Sequence, residues 1–402
     1  MTRIIAICLV GWMFDFYDLA LFSYLIPAIG KDLGLSVHQE AWLLGIGLGA
    51  SGIGGILFGW LGDRFGRKAV MTWTILLYSL GTGLSAFASE PFLFFALRAI
   101  AGLGIGGEWA IGHALVAESV AISKRGRAAA WLQSGEPLGV ALAAVVGLSV
   151  ATLIGWRAVL GFSALTGLWA LVVRRHLPES KLWDKTSHEP ARERERAYRW
   201  LRSFKGISIM VRSTILATFK LGTYWSMYIW LPKFFLKSFH EPIGRSVLWI
   251  LTAQVGQFIG MYFFGPISDK YGRRQAYTVY SVLTGLAIAM LAFHWSWLLG
   301  HRLYFWITMF CLGLGSGCTA GFGALLAELF PTEIRNFGMG TSYNLARGVQ
   351  VFAPPLVAYF LVRWDVAGAL CVPLVLAVLT AIWVWTLPET RGRNLAHFNY
   401  EQ

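Results

Sequence analysis

Residues 11–27 read GWMFDFYDLALFSYLIP and lie inside an apolar run from Ile4 to about Ile29. A run of that length crosses a bilayer as a helix. Two carboxylates interrupt it, Asp15 and Asp18, three positions apart and therefore on one helical face. Counted from Ile4 at 1.5 Å per residue, Asp15 lies roughly 17 Å and Asp18 roughly 21 Å along the helix. The hydrocarbon core is about 30 Å thick, so both acids sit near its middle, Asp15 the closer. A bare charge there costs several kcal/mol, and such residues face a water-filled path or a partner. The stretch reads as the working part of a transporter.

The rest of the chain carries the same signal. Of 402 residues 56% are hydrophobic and only 14% charged, with 19 Trp and a mean hydropathy of +0.58. Soluble proteins average about 25% charged residues. Only Thr2 and Arg3 precede the first apolar run and no small-residue cleavage site follows it, so no cleavable signal peptide is expected. Cys8, Cys311, Cys318 and Cys371 all fall in apolar runs, too dispersed for a metal cluster or a disulfide framework. The eight histidines are equally scattered, which argues against a membrane enzyme. No metal and no cofactor is expected beyond a proton as coupling ion.

Hydropathy places twelve helices near 4–29, 40–62, 69–89, 91–119, 126–152, 156–176, 213–237, 246–268, 276–296, 302–328, 337–362 and 367–387. The expected fold is an all-α membrane protein of two pseudo-symmetric six-helix bundles, 1–176 and 213–387. A linker, 177–212, with an amphipathic helical part joins them, and 388–402 form a tail. Lys and Arg fix the expected orientation: 24 of the 34 fall at the N-terminus, after helices 2, 4, 8 and 10, in the linker and in the tail, against seven in the opposite connections. Short loops rich in positive charge stay in the cytoplasm, so both termini and the linker are expected there. The net charge of +13 is then topogenic and lipid-facing, and nucleic acid is not expected as a partner.

The halves repeat. GWLGDRFGRK (59–68) recurs as GPISDKYGRR (265–274), GLGIG (102–106) as GLGSG (313–317), the Glu118–Arg125 spacing as Glu328–Arg335, and Pro178-Glu179-Ser180 as Pro388-Glu389-Thr390. All four matches fall in one order at offsets near 210. Two parallel halves around a central substrate site is a transporter plan. The glycines of helices 4 and 10 do not form a phosphate loop, since neither run follows a strand; small residues inside membrane helices allow close helix contact.

The midplane residues suggest the chemistry. On helix 1, Asp15 or Asp18 is expected to bind the coupled proton, Asp15 first. Arg98 enters helix 4 roughly 10 Å deep, level with Asp18, and is expected to pair with a helix 1 aspartate. Glu108 lies deeper, as a second proton stop or a packing partner. Helices 5 and 11 are repeat-related and carry Glu136 opposite Asn344 and Arg347. A midplane arginine offers a fork of donors to a carboxylate, so Arg347 with Asn344 is the expected anion ligand. Lys220, Tyr224 and Tyr228 on helix 7, and Gln254 and Gln257 on helix 8, are further candidate substrate contacts.

With the G-x-x-x-D-[RK]-x-G-R-[RK] loops, the E-x6-R pairs and the PES and PETRG segments, the chain resembles the major facilitator superfamily over essentially its whole length. GWMFDFYD, RAIAGLGIGGEW (98–109) and YNLARG (343–348) look closest to its proton symporters for sialate, lactate and similar organic acids. The paired glutamines of sugar porters on helix 7 and the yeast-type carboxylate signature are absent. Asp63 and Asp269 are placed to accept from a nearby helix N-terminus or from Arg125 and Arg335. The resemblance implies that Glu118, Glu328, Glu179 and Glu389 join them, with Arg64, Arg67 and Arg273, in a cytoplasmic gate that closes and opens as the halves rock. It implies a monomeric symporter in a bacterial or archaeal inner membrane, importing a small organic anion, a monocarboxylate, with protons. Uptake of a neutral sugar or polyol is the alternative, and a transport-dead nutrient sensor the next.

Overall fold

The computed structural model describes residues 2–187, 191–228, 243–395 and 398. The first half comprises helix 1 (Thr2–Leu33), helix 2 (Val37–Phe65), helix 3 (Arg67–Ser85) and helix 4 (Pro91–Ser119), then two segmented helices. Helix 5 runs Arg125–Gln133, breaks at Ser134, resumes as Gly135–Val145 and widens into a π turn at Val146–Val150. Pro137 lacks the N–H that would tie it across that break, which accounts for the interruption beside Glu136. Helix 6 is Trp156–Ser163 and Leu168–His176, joined by a 3-10 turn.

The linker carries two short helices, Lys181–Ser187 and Ala191–Arg202. Helix 7 starts at Phe204, about nine residues before its expected start, and is described to Tyr228. Its expected end at 237 lies outside the described residues, as does the expected tail beyond 398. Helix 8 (Ile243–Tyr271), helix 9 (Arg273–Phe293) and helix 10 (Arg302–Leu329, with a 3-10 turn at Gly317–Ala320) follow. Helix 11 begins at Arg335, and a continuous helical run Ala353–Trp383 carries its end and helix 12. That run is not straight. A Cβ on Gly368 would lie 3.2 Å from the Phe360 carbonyl oxygen, eight residues back, whereas a straight helix separates such positions by about 12 Å.

Among the described residues nine of these helices are long and apolar enough to cross a membrane on length and composition alone. Helices 3, 7 and 11 complete the twelve. Helix 11 falls short because it buries Arg335, Asn336, Asn344 and Arg347 inside the bundle. Large apolar side chains such as Phe162, Leu171, Leu286 and Ile382 point outward, as lipid requires.

The repeated loops close both halves in one way. Gly66 and Gly272 take φ of +95° and +111°, a region that suits glycine, and turn helix 2 into helix 3 and helix 8 into helix 9. Neither glycine has a side chain to cap the helix that follows. Glu179 does so for helix 3, accepting from the N–H groups of Arg67 (3.0 Å) and Lys68 (3.1 Å). Glu389 does so for helix 9, accepting from Arg273 (3.0 Å) and Arg274 (3.1 Å).

Candidate functional site

One end of the molecule, the basic face carrying the repeated loops, is closed by a buried ion network. Asp63 accepts from the N–H groups of Asn336 (3.2 Å) and Phe337 (2.8 Å) at the start of helix 11, in the opposite half. Asp269 accepts from Gly126 and Arg127, both at 2.9 Å, at the start of helix 5. Of the two expected kinds of partner, both aspartates take the helix N-terminus; the arginines beside them are Arg67 (3.3 Å from Asp63) and Arg273 (2.7 Å from Asp269) rather than Arg125 and Arg335. Those two cross over: Arg125 meets Glu328 at 3.0 Å and Arg335 meets Glu118 at 2.6 Å. Glu118 also holds Arg67 at 3.1 Å, and Glu328 holds Arg273 at 2.9 Å. Ser180 donates to Glu118, and Thr390 donates to Glu328 at 2.7 Å.

Arg64 is not among the arginines of these ion pairs. Its guanidinium lies 5.4 Å from the Trp60 ring and 5.7 Å from the Phe65 ring. It lines a side cavity of about 410 Å³ with Asp63, Tyr198, Arg202 and Glu333.

At half depth the two helix 1 aspartates have different surroundings. Asp18 and Arg98 form a buried pair, Nη2 to Oδ2 2.8 Å, and Thr82 donates to Asp18 Oδ1 at 2.6 Å. Arg98 also donates to Thr82 at 3.1 Å and lies 4.5 Å from the Phe22 ring. Asp15 is wholly buried, and neither of its oxygens has a hydrogen-bond partner among the described residues; the same holds for Glu108. The two are electrostatic neighbours, with Arg347 acting on Asp15 as well. Glu108 packs on Gly11, where a Cβ would collide with its Oε1.

Arg347 is fully buried, and its two terminal nitrogens have no hydrogen-bond partner among the described residues. Three rings cage it: Trp12 at 5.2 Å, Phe16 at 5.8 Å and Tyr343 at 5.2 Å. Such rings hold a cation without neutralising it, which leaves the guanidinium able to bind an anion. Asn344 points elsewhere. Its amide donates to the Gly106 carbonyl at 2.8 Å and fills the space above Gly55, clasping helix 11 to helices 2 and 4. Glu136 accepts from Gln133 (2.8 Å) and from Gln257 of the other half (2.9 Å), and feels the charge of Lys220 and Arg347. Tyr224 and Tyr228 lie 4.5 Å apart by ring centres, and both amide atoms of Gln254 are buried without a partner among the described residues.

The cage rings, Thr82 and Gln133 were not singled out from sequence, although the spacing held a signal. Trp12 and Phe16 are four apart, Tyr343 is four before Arg347, and Gln133 is three before Glu136.

A family model described as Major Facilitator Superfamily matches residues 8–253 and 244–399. The sialic acid transporter NanX of Escherichia coli (strain K12) is 30% identical over 352 residues, 87% of this chain and 84% of that protein. A gentisate transporter of Corynebacterium glutamicum is 29% identical over 385 residues, 90% of this chain and 82% of that protein. Among solved structures, the proton:xylose symporter XylE bound to 6-bromo-6-deoxy-D-glucose superposes with a TM-score of 0.82 at 18% identity, covering 98% of this chain and 97% of that one, a likeness of fold. With the family model matched along nearly the whole sequence, the chain belongs to the Major Facilitator Superfamily of membrane transporters.

Proposed function

We propose that the protein is a proton-coupled symporter importing a small organic anion, a monocarboxylate, by alternating access. The observation that carries this reading is Arg347: a buried guanidinium, caged by rings, with both terminal nitrogens unbonded among the described residues. A carboxylate fits that fork with two parallel hydrogen bonds. The relatives named for sialic acid and gentisate support an acid as cargo.

In this reading the anion enters while the basic face is closed and binds Arg347, with Lys220, Tyr224, Tyr228, Gln254 and Gln257 lining its path. Asp15, Glu108 and Glu136 take the coupling proton. Asp18 and Arg98 stay paired and set the local field. Loading then favours separation of the Glu118–Arg335 and Glu328–Arg125 pairs, and the site opens to the basic face. By the charge count that face is cytoplasmic, with both termini inside a bacterial inner membrane.

Counterflow in proteoliposomes with lactate, pyruvate, sialate, an aromatic acid and glucose tests it. One of the acids is expected to exchange, with alkalinisation outside during net uptake. Glucose exchange without proton movement would establish the neutral-sugar alternative instead.

A further inference from the structure

The carboxyl of Glu136 is gripped by two amides that differ in freedom. Gln133 offers its carbonyl oxygen to two donors, the Trp109 indole N–H at 3.1 Å and His113 Nε2 at 2.9 Å. An indole nitrogen only donates, so the Gln133 oxygen must face it and its NH2 must face Glu136 Oε2. His113 therefore carries its proton on Nε2. Gly323 of helix 10 closes behind that ring, for a Cβ there would strike His113 Nδ1. Trp109 is held in turn by stacking on Tyr343, centroids 3.7 Å apart and planes 8° apart. Gln133 cannot reverse. Gln257 has one engagement, its NH2 on Glu136 Oε1 at 2.9 Å, while its own oxygen is buried with no partner among the described residues.

We propose that Gln133 fixes which oxygen of Glu136 receives the coupling proton, and that Gln257 reverses its amide when the proton arrives. This rests on the reading of Glu136 as a proton carrier. A carboxylate accepts at both oxygens and suits two NH2 groups. A carboxylic acid turns one oxygen into an O–H donor, a weaker acceptor for an NH2 than a carboxylate oxygen, and its hydrogen is best met by an amide oxygen. Since the Gln133 NH2 stays on Oε2, Oε1 takes the proton: one O–H bond of a hydronium ion breaks, one O–H bond forms on Glu136, and a water molecule is left. Gln257 then rotates to present its oxygen to the new O–H. Because Gln257 sits on helix 8, across the interface, the other half senses the proton through a rotating side chain. The other groups acting on this cluster are the cations Lys220 and Arg347 and the phenols Tyr224, Tyr228 and Tyr343. Gln133 and Gln257 are thus positioning residues for the proton.

Infrared difference spectra across pH steps, on reconstituted full-length protein with carbon-13-labelled glutamine side-chain carbonyls, test the proposal without any substrate. A carboxylic acid band of Glu136 and a shifted carbonyl band of Gln257 are expected to rise together. Glu136→Gln should abolish both, and Gln257→Leu should remove the carbonyl band alone. If Gln257→Leu does not fold, Gln257→Asn assigns the band. Gln133→Leu frees the proton to sit on either oxygen and should weaken the Gln257 response. A Gln257 band that ignores pH while Glu136 titrates, one that persists in Glu136→Gln, or a Glu136 that never titrates overturns the proposal. Bands that move together in a protein that fails acid counterflow would leave this inference standing and remove the symport reading. Alkalinisation during acid uptake with a silent Gln257 would do the reverse.

Discussion

Arg335 and Glu118 are 217 positions apart in the chain and meet at 2.6 Å, nitrogen to oxygen, with both side chains excluded from solvent. The repeat-related pair, Arg125 and Glu328, meets at 3.0 Å. Each E-x6-R motif thus sends its arginine to the glutamate of the other half. The crossing makes the pairs a lock between halves rather than a brace within one.

Glu118→Gln removes the acid shared by Arg67 and Arg335 and leaves two buried guanidinium groups under-compensated. Breaking a buried pair from one side costs about 3–5 kcal/mol. The variant is expected to open the basic face, so a cysteine at Ser342, buried on helix 11, should react faster with a maleimide added from that face. Equal labelling rates in variant and parent would show that the lock does not hold this face shut.

Asp18→Asn strands Arg98, and a loss of about 3–5 kcal/mol is expected. The double change Asp18→Asn with Arg98→Gln should lose less than the sum, because the orphaned charge is gone. Thermal unfolding in detergent of the two single variants and the double reads this coupling. Additive losses would mean that the 2.8 Å contact carries little.

Arg347→Lys keeps the charge and gives up the planar fork. Hydrogen bonds to charged groups contribute about 1.5–3 kcal/mol each, so KM for the acid should rise roughly tenfold or more, with Arg347→Gln worse. Initial-rate uptake in proteoliposomes measures it. An unchanged KM in Arg347→Lys would place the anion elsewhere.

Glu389 lies outside the membrane spans and is half-buried. Burial raises its carboxyl pKa, but the N–H groups of Arg273, Arg391, Arg274 and Thr390 outweigh that and hold it below the usual value of 4.5. A depressed carboxylate contributes stability above its unfolded pKa and loses it as pH falls through the folded one. Glu389→Gln should therefore melt below the parent at neutral pH, and the gap should close as the pH drops below about 4. A gap independent of pH would mean that the cap acts through shape alone.

Glycines of the two repeated runs stand against backbone. A Cβ on Gly104 would come within 2.7 Å of the Thr74 carbonyl oxygen, and one on Gly315 within 2.6 Å of the Thr284 nitrogen. Backbone cannot swing aside as a side chain does, so either change to Ala should cost about 1–3 kcal/mol or more. Folded yield and melting temperature report it, and a neutral Gly104→Ala would show that helices 3 and 4 separate easily.

Periodic hydropathy, the charge count and the four repeated motifs were legible from the chain alone. Those properties are local or internal to the sequence: apolar length decides what can cross a bilayer, and a repeat is visible without knowing its fold. Depth counting could also put Asp18 level with Arg98, because helix rise is fixed. Which partner each charge takes was decided only in three dimensions. The sequence shows Glu118 seven residues from Arg125, yet that arginine answers to Glu328, since pairing depends on how the two halves face each other. Asn344 lies three positions before Arg347, on the same helical face, yet its amide turns to the Gly106 carbonyl, because its side of helix 11 packs directly on helices 2 and 4. The ring cage and the locked amide of Gln133 arise likewise from helices 1, 4, 5 and 11 converging, a relationship that distance along the chain does not encode.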